Sequence, residues 1–504
     1  MDIMALLLEG FKSCLSVSNI VACVIGVIVG TLTGVLPGLG SGGAMALLLP
    51  ISFGMEPTAA LIMLAGIYYG AMYGGSTTSI LVNVPGESSS LITCLDGYAM
   101  AKKGRAGAAL TISAIGSFIA GTFGLILLTL FAPPISKVAL TFGPPEYFAI
   151  ALMGLIALVL LSGSILKGCI MMILGIMIGT VGLDPLSGVN RFTMGSVELS
   201  KGIEFTLVAM GLFGLGEVIS MLCEKAQDMT IQKLRFRDLY PNREEIKRSI
   251  HPIFRGSFLG FLCGLIPGPA AVVSTFLSYA VEKKVSKRPE EFGKGAVEGV
   301  AGPESANNAA SSAAMVPLLT LGLPFAPPIA ILLSGFLIHG ITPGPSLIND
   351  HPGVFWGLIA SMYIGNLLLL IINLPFVGVF ASLLKTPREY LMPIIVIISF
   401  TGALALNGSI FDLGLLILFG FLGYILREAG YQPASLAIGV ILGPIIEKSL
   451  IQSLIMFDGK LSSFFTRPFS AMFLGLAIVI LIGGMYGNLK KYVRAQKKTR
   501  ELAD

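Results

Sequence analysis

Amides and hydroxyls crowd two stretches of an otherwise apolar chain. The first holds Tyr68-Tyr69-Gly70, Gly74-Gly75-Ser76-Thr77-Thr78-Ser79 and Asn83-Val84-Pro85-Gly86, and it ends near Thr93 and Asp96-Gly97-Tyr98. The second is Gly302-Pro303-Glu304-Ser305-Ala306-Asn307-Asn308-Ala309-Ala310-Ser311-Ser312, followed by Gly322-Leu323-Pro324. Hydroxyls and amides both donate and accept, so they suit a carboxylate or an alkali cation. Small residues also serve helix-helix contacts in membranes, so a single Ser or Thr has a packing role as its alternative. Asn83, Asn307 and Asn308 weigh the other way, because an amide at lipid depth is costly unless used. Asp96 and Glu304 are the ionisable candidates, as proton carriers or as helix caps.

Two helix breaks accompany these segments. Gly34-Val35-Leu36-Pro37-Gly38 and Gly264-Leu265-Ile266-Pro267-Gly268 both lie in apolar sequence. Gly30/Gly260, Leu32/Leu262, Gly34/Gly264, Pro37/Pro267 and Gly38/Gly268 match at one shift of 230 residues (260 − 30). Proline removes a donor and clashes with the preceding turn, and glycine adds backbone freedom. The freed polar groups must be satisfied inside protein or water. A break at corresponding places in two halves is the best pointer to a transporter binding site. Helix N-termini formed there offer N–H donors to an anion, and unwound carbonyls suit Na⁺. The candidate substrate-binding set is therefore Pro37, Gly38, Ser76, Thr77, Ser79, Asn83, Pro85, Gly86, Pro267, Gly268, Asn307, Asn308, Ser311 and Pro324. Candidate Na⁺ ligands lie near Gly40, Thr78, Asn83, Ser305, Asn308 and Ser312. No Lys or Arg falls in either polar segment, so an anion must rely on neutral donors, helix N-termini and bound cations.

Other chemistries are excluded. Gly38-Leu39-Gly40-Ser41-Gly42-Gly43 looks like a phosphate loop but lacks the Lys-Ser/Thr of a nucleotide site. The six Cys have no C-x-x-C spacing, and the three His show neither metal-ligand spacing nor a nucleophile-base arrangement, so no enzyme or cofactor is expected.

The elements that position these residues are membrane helices. Apolar residues make up 54% of the chain and charged residues 12%, about half the share of a soluble domain. Charge-free runs Ala106 to Phe131, Tyr147 to Leu166, Leu391 to Phe411 and Pro468 to Leu489 are each long enough to span. Thr58 to Gly86 and Ser305 to Ile338 are expected to hold more than one element each. No cleavable leader pattern is expected at the start.

The longest hydrophilic segment, residues 224–256, reads as a cytoplasmic linker between two repeats, 19–223 and 257–489. Residues 1–18 form an interfacial or first membrane segment, and 490–504 a basic cytoplasmic tail. Pro144-Pro145-Glu146-Tyr147 echoes Pro387-Arg388-Glu389-Tyr390 in the same order. Basic residues concentrate in loops, with eight Lys/Arg in the linker, five from Lys283 to Lys294 and six in the tail. With these loops placed in the cytoplasm, equivalent loops of the two repeats carry opposite bias. The fold class expected is an all-α polytopic membrane protein with two inverted-topology repeats and about 10–12 membrane helices. Ile253 to Val281 is too short to cross twice, so it should be a re-entrant hairpin broken at Pro267-Gly268, with residues 20–53 as its mate. Glu447-Lys448 interrupts an apolar run as a candidate internal pair.

These motifs resemble the large membrane subunit of tripartite tricarboxylate transporters, the TctA family. The resemblance rests on the Leu36-Pro37-Gly38 break, Tyr68 to Ser76, Val84-Pro85-Gly86, Asp96-Gly97-Tyr98, Pro303 to Asn308, Pro343-Gly344-Pro345 and Leu442-Gly443-Pro444, over most of residues 20–475. It implies a multi-pass permease of the bacterial inner membrane with a cytoplasmic C-terminus, importing tricarboxylates or related carboxylates by alternating access. The implied partners are a small four-helix membrane subunit and a periplasmic solute-binding protein. A homo-oligomer remains open. An ion gradient, with Na⁺ favoured over H⁺, would drive transport without ATP. A stand-alone cation-coupled permease for another small solute is the alternative. Glu87 departs from the expected pattern by placing a charge directly after Pro85-Gly86.

Overall fold

The computed structural model describes residues 3–36, 39–161, 164–184, 187–223, 240–376, 379 and 388–501. Almost all of the regular structure is helical. In chain order the first helices are α1 (Ile3–Cys14), α2 (Val17–Val35), α3 (Gly40–Leu48), α4 (Pro57–Val82), α5 (Thr93–Lys102), α6 (Ala106–Ala139), α7 (Pro144–Leu161) and α8 (Ile165–Gly179). A two-residue antiparallel pair, Gly182–Leu183 with Asn190–Arg191, precedes α9 (Val197–Ser200). Next come α10 (Phe205–Ala209), a π-helical turn Met210–Leu215 and α11 (Gly216–Cys223). The second half holds α12 (Arg243–Gly264), α13 (Ala270–Val285), α14 (Glu298–Ala313), α15 (Met315–Leu321), α16 (Pro327–Ile338), α17 (Leu347–Asp350) and α18 (Pro352–Asn373). The last four are α19 (Arg388–Asn407), α20 (Ile410–Glu428), α21 (Pro433–Met456) and α22 (Pro468–Glu501). Among the described residues, six segments are long and apolar enough to cross a membrane: α2, α6, Phe205–Cys223, α18, α20 and α21. The chain is thus an all-α polytopic membrane protein.

Several expected boundaries move. Thr58 to Gly86 holds one long helix, α4, followed by a loop. Its glycines are a packing seam, so they do not end it. Leu391 to Phe411 is divided, because α19 ends at Asn407 and Ser409 caps α20 through the Phe411 N–H. Tyr147 to Leu166 likewise spans the end of α7 and the start of α8. Helix α12 begins inside the hydrophilic linker. Asn242 and Glu245 form a reciprocal capping box there, satisfying two backbone donors. Helix α1 packs on α18, with Gly10 against the Trp356 backbone.

Two compact units are distinguished, and neither follows the repeat boundaries. One comprises residues 1–140 and 204–429, the other 141–203 and 430–504. In the larger unit α2 lies on α4, and α12 on α14, through glycine seams. A Cβ at Gly26, Gly30 or Gly34 of α2 would lie 2.4, 2.5 or 2.3 Å from the carbonyl oxygens of Met63, Ile67 and Ala71 on α4. A Cβ at Gly256, Gly260 or Gly264 of α12 would lie 2.2, 2.2 or 2.4 Å from those of Gly302, Ala306 and Ala310 on α14. Only glycine lets two backbones approach this closely.

In the smaller unit, Gly175 and Gly179 of α8 meet the Leu436 and Val440 carbonyls of α21 in the same way. Here Arg191 pairs with Asp184 at 2.7 Å and with Glu447. Glu447 is therefore bound to Arg191 on the β-ribbon, which corrects its expected pairing with Lys448. Arg467 binds the buried Glu146 at 2.6 Å.

Candidate functional site: a polar layer between α4 and α14

The polar stretches of α4 and α14 pack against each other and against α5, α6 and α18 in the larger unit. Glu304 sits at the centre and is fully buried. The Ser76 and Thr93 hydroxyls donate to its two carboxylate oxygens. No Lys, Arg or His pairs with it among the described residues. Asn307 and Ser311 follow at spacings of three and four, so they share the helix face of Glu304. Asn307 is fully buried, and neither its side-chain oxygen nor its nitrogen has a hydrogen-bond partner. Buried amides are almost always satisfied, so Asn307 is the residue of this face with unused capacity to donate and accept.

The next face of α14 looks toward α6. Asn308 donates to Ser117 at 2.7 Å, and Ser312 donates to the Gly121 carbonyl at 3.4 Å. A small polar cavity there is lined by Tyr68, Tyr69, Asn308, Ser311, Ser312 and Asn366, among others. Asn366 of α18 accepts from Tyr73 at 2.8 Å and donates to the Phe118 carbonyl and Thr122. Asn366 and Tyr73 were missed as site residues. Asn366 carried a readable signal, an amide in the middle of a charge-free span.

Other expected residues fall elsewhere. Pro37 and Gly38 lie outside the described residues. Asn83 is exposed and has φ 60° and ψ 29°, the left-handed C-cap of α4. Gly322 holds the same place after α15, with φ 71° and ψ 20°. The seam register pairs Met63 with Gly302 and sets Asn83 against Gly322 and Pro85 against Pro324, a shift of 239 residues (322 − 83). Asn83 is thus a helix terminator, a role open to Asn because its short side chain tolerates positive φ. It does not face Asn307 across a cavity. Ser79 bonds Ser90 at 2.8 Å, Thr78 bonds the Gly75 carbonyl at 3.0 Å, and Thr77 is buried. The expected Na⁺ ligands separate. Ser305, Asn308 and Ser312 line the α6 side of α14, while Gly40 lies at α3, so the six do not form one site. No cluster of three metal-ligating His, Cys, Asp or Glu occurs among the described residues.

Asp96 also has another task. Its Oδ1 accepts from the N–H groups of Gly293, Gly295 and Ala296 at 2.9, 2.7 and 2.8 Å, and its Oδ2 from Tyr279 at 2.9 Å. Four donors hold it as a clamp between α5 and the entry to α14.

A separate cavity of about 380 Å³ lies beside the loop that follows α4. It is lined by Gly40, Pro85, Gly86, Glu87, Ser88, Leu91, Val272 and Phe276, between the starts of α3 and α13. At the second break Gly268 donates to the Phe325 carbonyl at 3.1 Å, which ties α13 to the segment carrying Pro324. At the first, Glu87 accepts from the Ser41 N–H. The charge that departed from the family pattern thus occupies the positive end of α3, where an anionic substrate was expected.

Comparison with known proteins follows the same lines. Residues 20–438 match the family described as tripartite tricarboxylate transporter TctA. The chain is 48% identical over 484 residues to an Agrobacterium vitis protein described as an uncharacterized 52.8 kDa protein in the TAR-I ttuC' 3'region, covering 95% of this chain and 96% of that one. It is also 48% identical over 231 residues to an uncharacterized Agrobacterium vitis protein in the TAR-II ttuC' 3'region, covering 46% of this chain and 96% of that one. No solved structure matches.

Proposed function

This chain belongs to the tripartite tricarboxylate transporter TctA family, and on that premise we propose that it is the permease subunit of a binding-protein-dependent secondary transporter, importing carboxylates with a cation gradient. The observation that carries the reading is Glu304. Stripping a carboxylate of water inside a protein costs several kcal/mol unless a positive charge compensates it. The hydroxyls of Ser76 and Thr93 bring no charge, so a bound cation or a proton must. The unpartnered Asn307 amide lies one turn away on the same face. Glu304 is the coupling site in this reading, and substrate enters at the cavity lined by Gly40, Pro85, Gly86 and Val272. Na⁺ is preferred, since hydroxyl and amide oxygens suit a hard cation. A small membrane subunit and a periplasmic binding protein complete the system, in the bacterial inner membrane. The sequence offers no nucleotide motif and no catalytic constellation.

Proteoliposomes holding both membrane subunits, with the binding protein outside and no nucleotide, should accumulate a carboxylate when a Na⁺ or H⁺ gradient is imposed. Accumulation only with internal ATP would refute the assignment.

The repeats are inverted in this proposal. The paired seams, the matched αL caps and the opposite charge bias of equivalent loops support it. In a cysteine-free background, single Cys at Tyr240 and Ser286 should be labelled from the cytoplasm and one at Ser346 from the periplasm. Labelling of 240 and 286 from opposite sides would sink both the re-entrant hairpin and the inversion.

A further inference from the structure

A second cavity of about 380 Å³ lies at the polar ends of α12 and α13, with Glu298 at the start of α14 in its wall. Most of the charges around it are already matched. Arg248 forms a fork with Glu298 at 2.8 and 2.7 Å and also reaches Glu291, whose carboxyl it holds below the usual range. Arg255 forks onto Glu282, and Arg288 pairs with Glu244 at 3.0 Å. Lys247, His251 and Lys287 also line the cavity, are exposed, and make no ion pair among the described residues. The cavity therefore presents surplus positive charge around a space open to one side.

The flank beside it is apolar. Ile246, Ile250, Phe254, Phe258 and Leu262 recur every fourth residue on α12 and are all exposed. They form one continuous ridge running from the charged end toward the break at Pro267-Gly268. The opposite face of α12, with Gly256, Gly260 and Gly264, is buried on α14, so this ridge is the outward face. A basic pocket whose Lys247 and His251 neighbour the ridge residues Ile246 and Ile250 on α12 matches an amphiphile with an anionic head and acyl tails.

We propose that this cavity binds the headgroup of an anionic phospholipid, with its phosphate between Lys247, His251 and Lys287 and its acyl chains along the Ile246–Leu262 ridge. The purified full chain in neutral detergent is titrated with phosphatidylglycerol, phosphatidylcholine or inorganic phosphate, and retained lipid and thermal unfolding are followed. Phosphatidylglycerol should bind and raise the unfolding temperature, whereas phosphatidylcholine should not. Lys247→Gln/Lys287→Gln should weaken phosphatidylglycerol binding at least about tenfold, from roughly 1 kcal/mol per lysine near a headgroup. Phe254→Ser should weaken it as well, because it removes a contact that a free anion does not use. Lys287→Gln alone, on an exposed loop, serves if the double variant does not fold, and should weaken binding about fivefold. Equal binding of the two lipids overturns the proposal, as does unchanged binding by the lysine variants. Inorganic phosphate that binds as tightly as the lipid, indifferent to Phe254→Ser, also overturns it and makes this a site for a soluble phosphate.

Discussion

Glu304→Ala should abolish cation-driven accumulation while leaving folded protein in the membrane. The carboxylate is fully buried and held only by hydroxyls, so its charge is the natural partner of a coupling cation. Removing one member of a buried charge pair costs roughly 3–5 kcal/mol, more than about 100-fold in cation affinity. Folding should suffer less, because the Ser76 and Thr93 hydroxyls can turn to other acceptors. Glu304→Gln distinguishes the ions. The amide keeps the shape and mimics the protonated acid. A proton-coupled carrier should then retain substrate exchange across equal concentrations but lose its response to a pH gradient. A Na⁺-coupled carrier should lose Na⁺ dependence in both variants. Asn307→Ala should weaken the same ligand by ~1–3 kcal/mol, or about 5- to 150-fold, since a buried partner is left unpaired. Uptake normalised to folded protein, at varied Na⁺ and pH, is the measurement. Wild-type cation dependence in Glu304→Ala would remove the coupling site from α14.

Gly260→Val should give little folded protein. Even the Cβ of alanine would stand 2.2 Å from the Ala306 carbonyl oxygen and 2.7 Å from its Cα. Those are backbone atoms of a buried helix, with no rotamer to turn away. Helices α12 and α14 would have to separate along the whole seam, losing the contacts at Gly256 and Gly264 together. Overpacking usually costs about 1–3 kcal/mol, and the larger side chain at a backbone contact should exceed that range. The yield of monodisperse protein in detergent should fall at least tenfold. Gly475→Val, whose added Cβ meets nothing within 4 Å, is the control and should leave the yield nearly unchanged. Equal yields from the two variants would show that the seam does not hold the fold.

The membrane class and the second break could be read from sequence because they depend on local chemistry. A run of apolar residues has few alternatives, and Pro-Gly interrupts a helix wherever it falls. The break at Pro267-Gly268 is found between α12 and α13 as expected. What could not be read depends on tertiary partners. Thr58 to Gly86 was expected to hold more than one element, yet α4 runs on through Gly66, Gly70 and Gly74 because the α2 backbone fills the space beside them. Asn83 and Asp96 were marked by residue type as site candidates. Type cannot show that one residue has positive φ, or that the other faces three N–H groups some two hundred residues away. Glu304 was marked as an ionisable candidate, and the structure buries it fully. Its hydroxyl partners come from α4 and α5, at distances along the chain that no local pattern encodes. The two polar stretches were aligned directly with each other. The seam register instead places Asn307 opposite the sequence position of Tyr68.

The glycine seams also have a mechanical consequence. Packed helices usually slide by small readjustments of the side chains between them, and that layer works as a bearing. Helices α2 and α4 have almost no such layer where Gly26, Gly30 and Gly34 meet the α4 backbone, and α12 and α14 have almost none at Gly256, Gly260 and Gly264. Carbonyls seated against Cα atoms resist shear, since a shift of one residue would drive each into the next side chain. Each pair should therefore travel as a stiff strut, carrying its broken hairpin with it. Displacement during a transport cycle is left to contacts padded by larger side chains, such as those of α16 and α18 with α4.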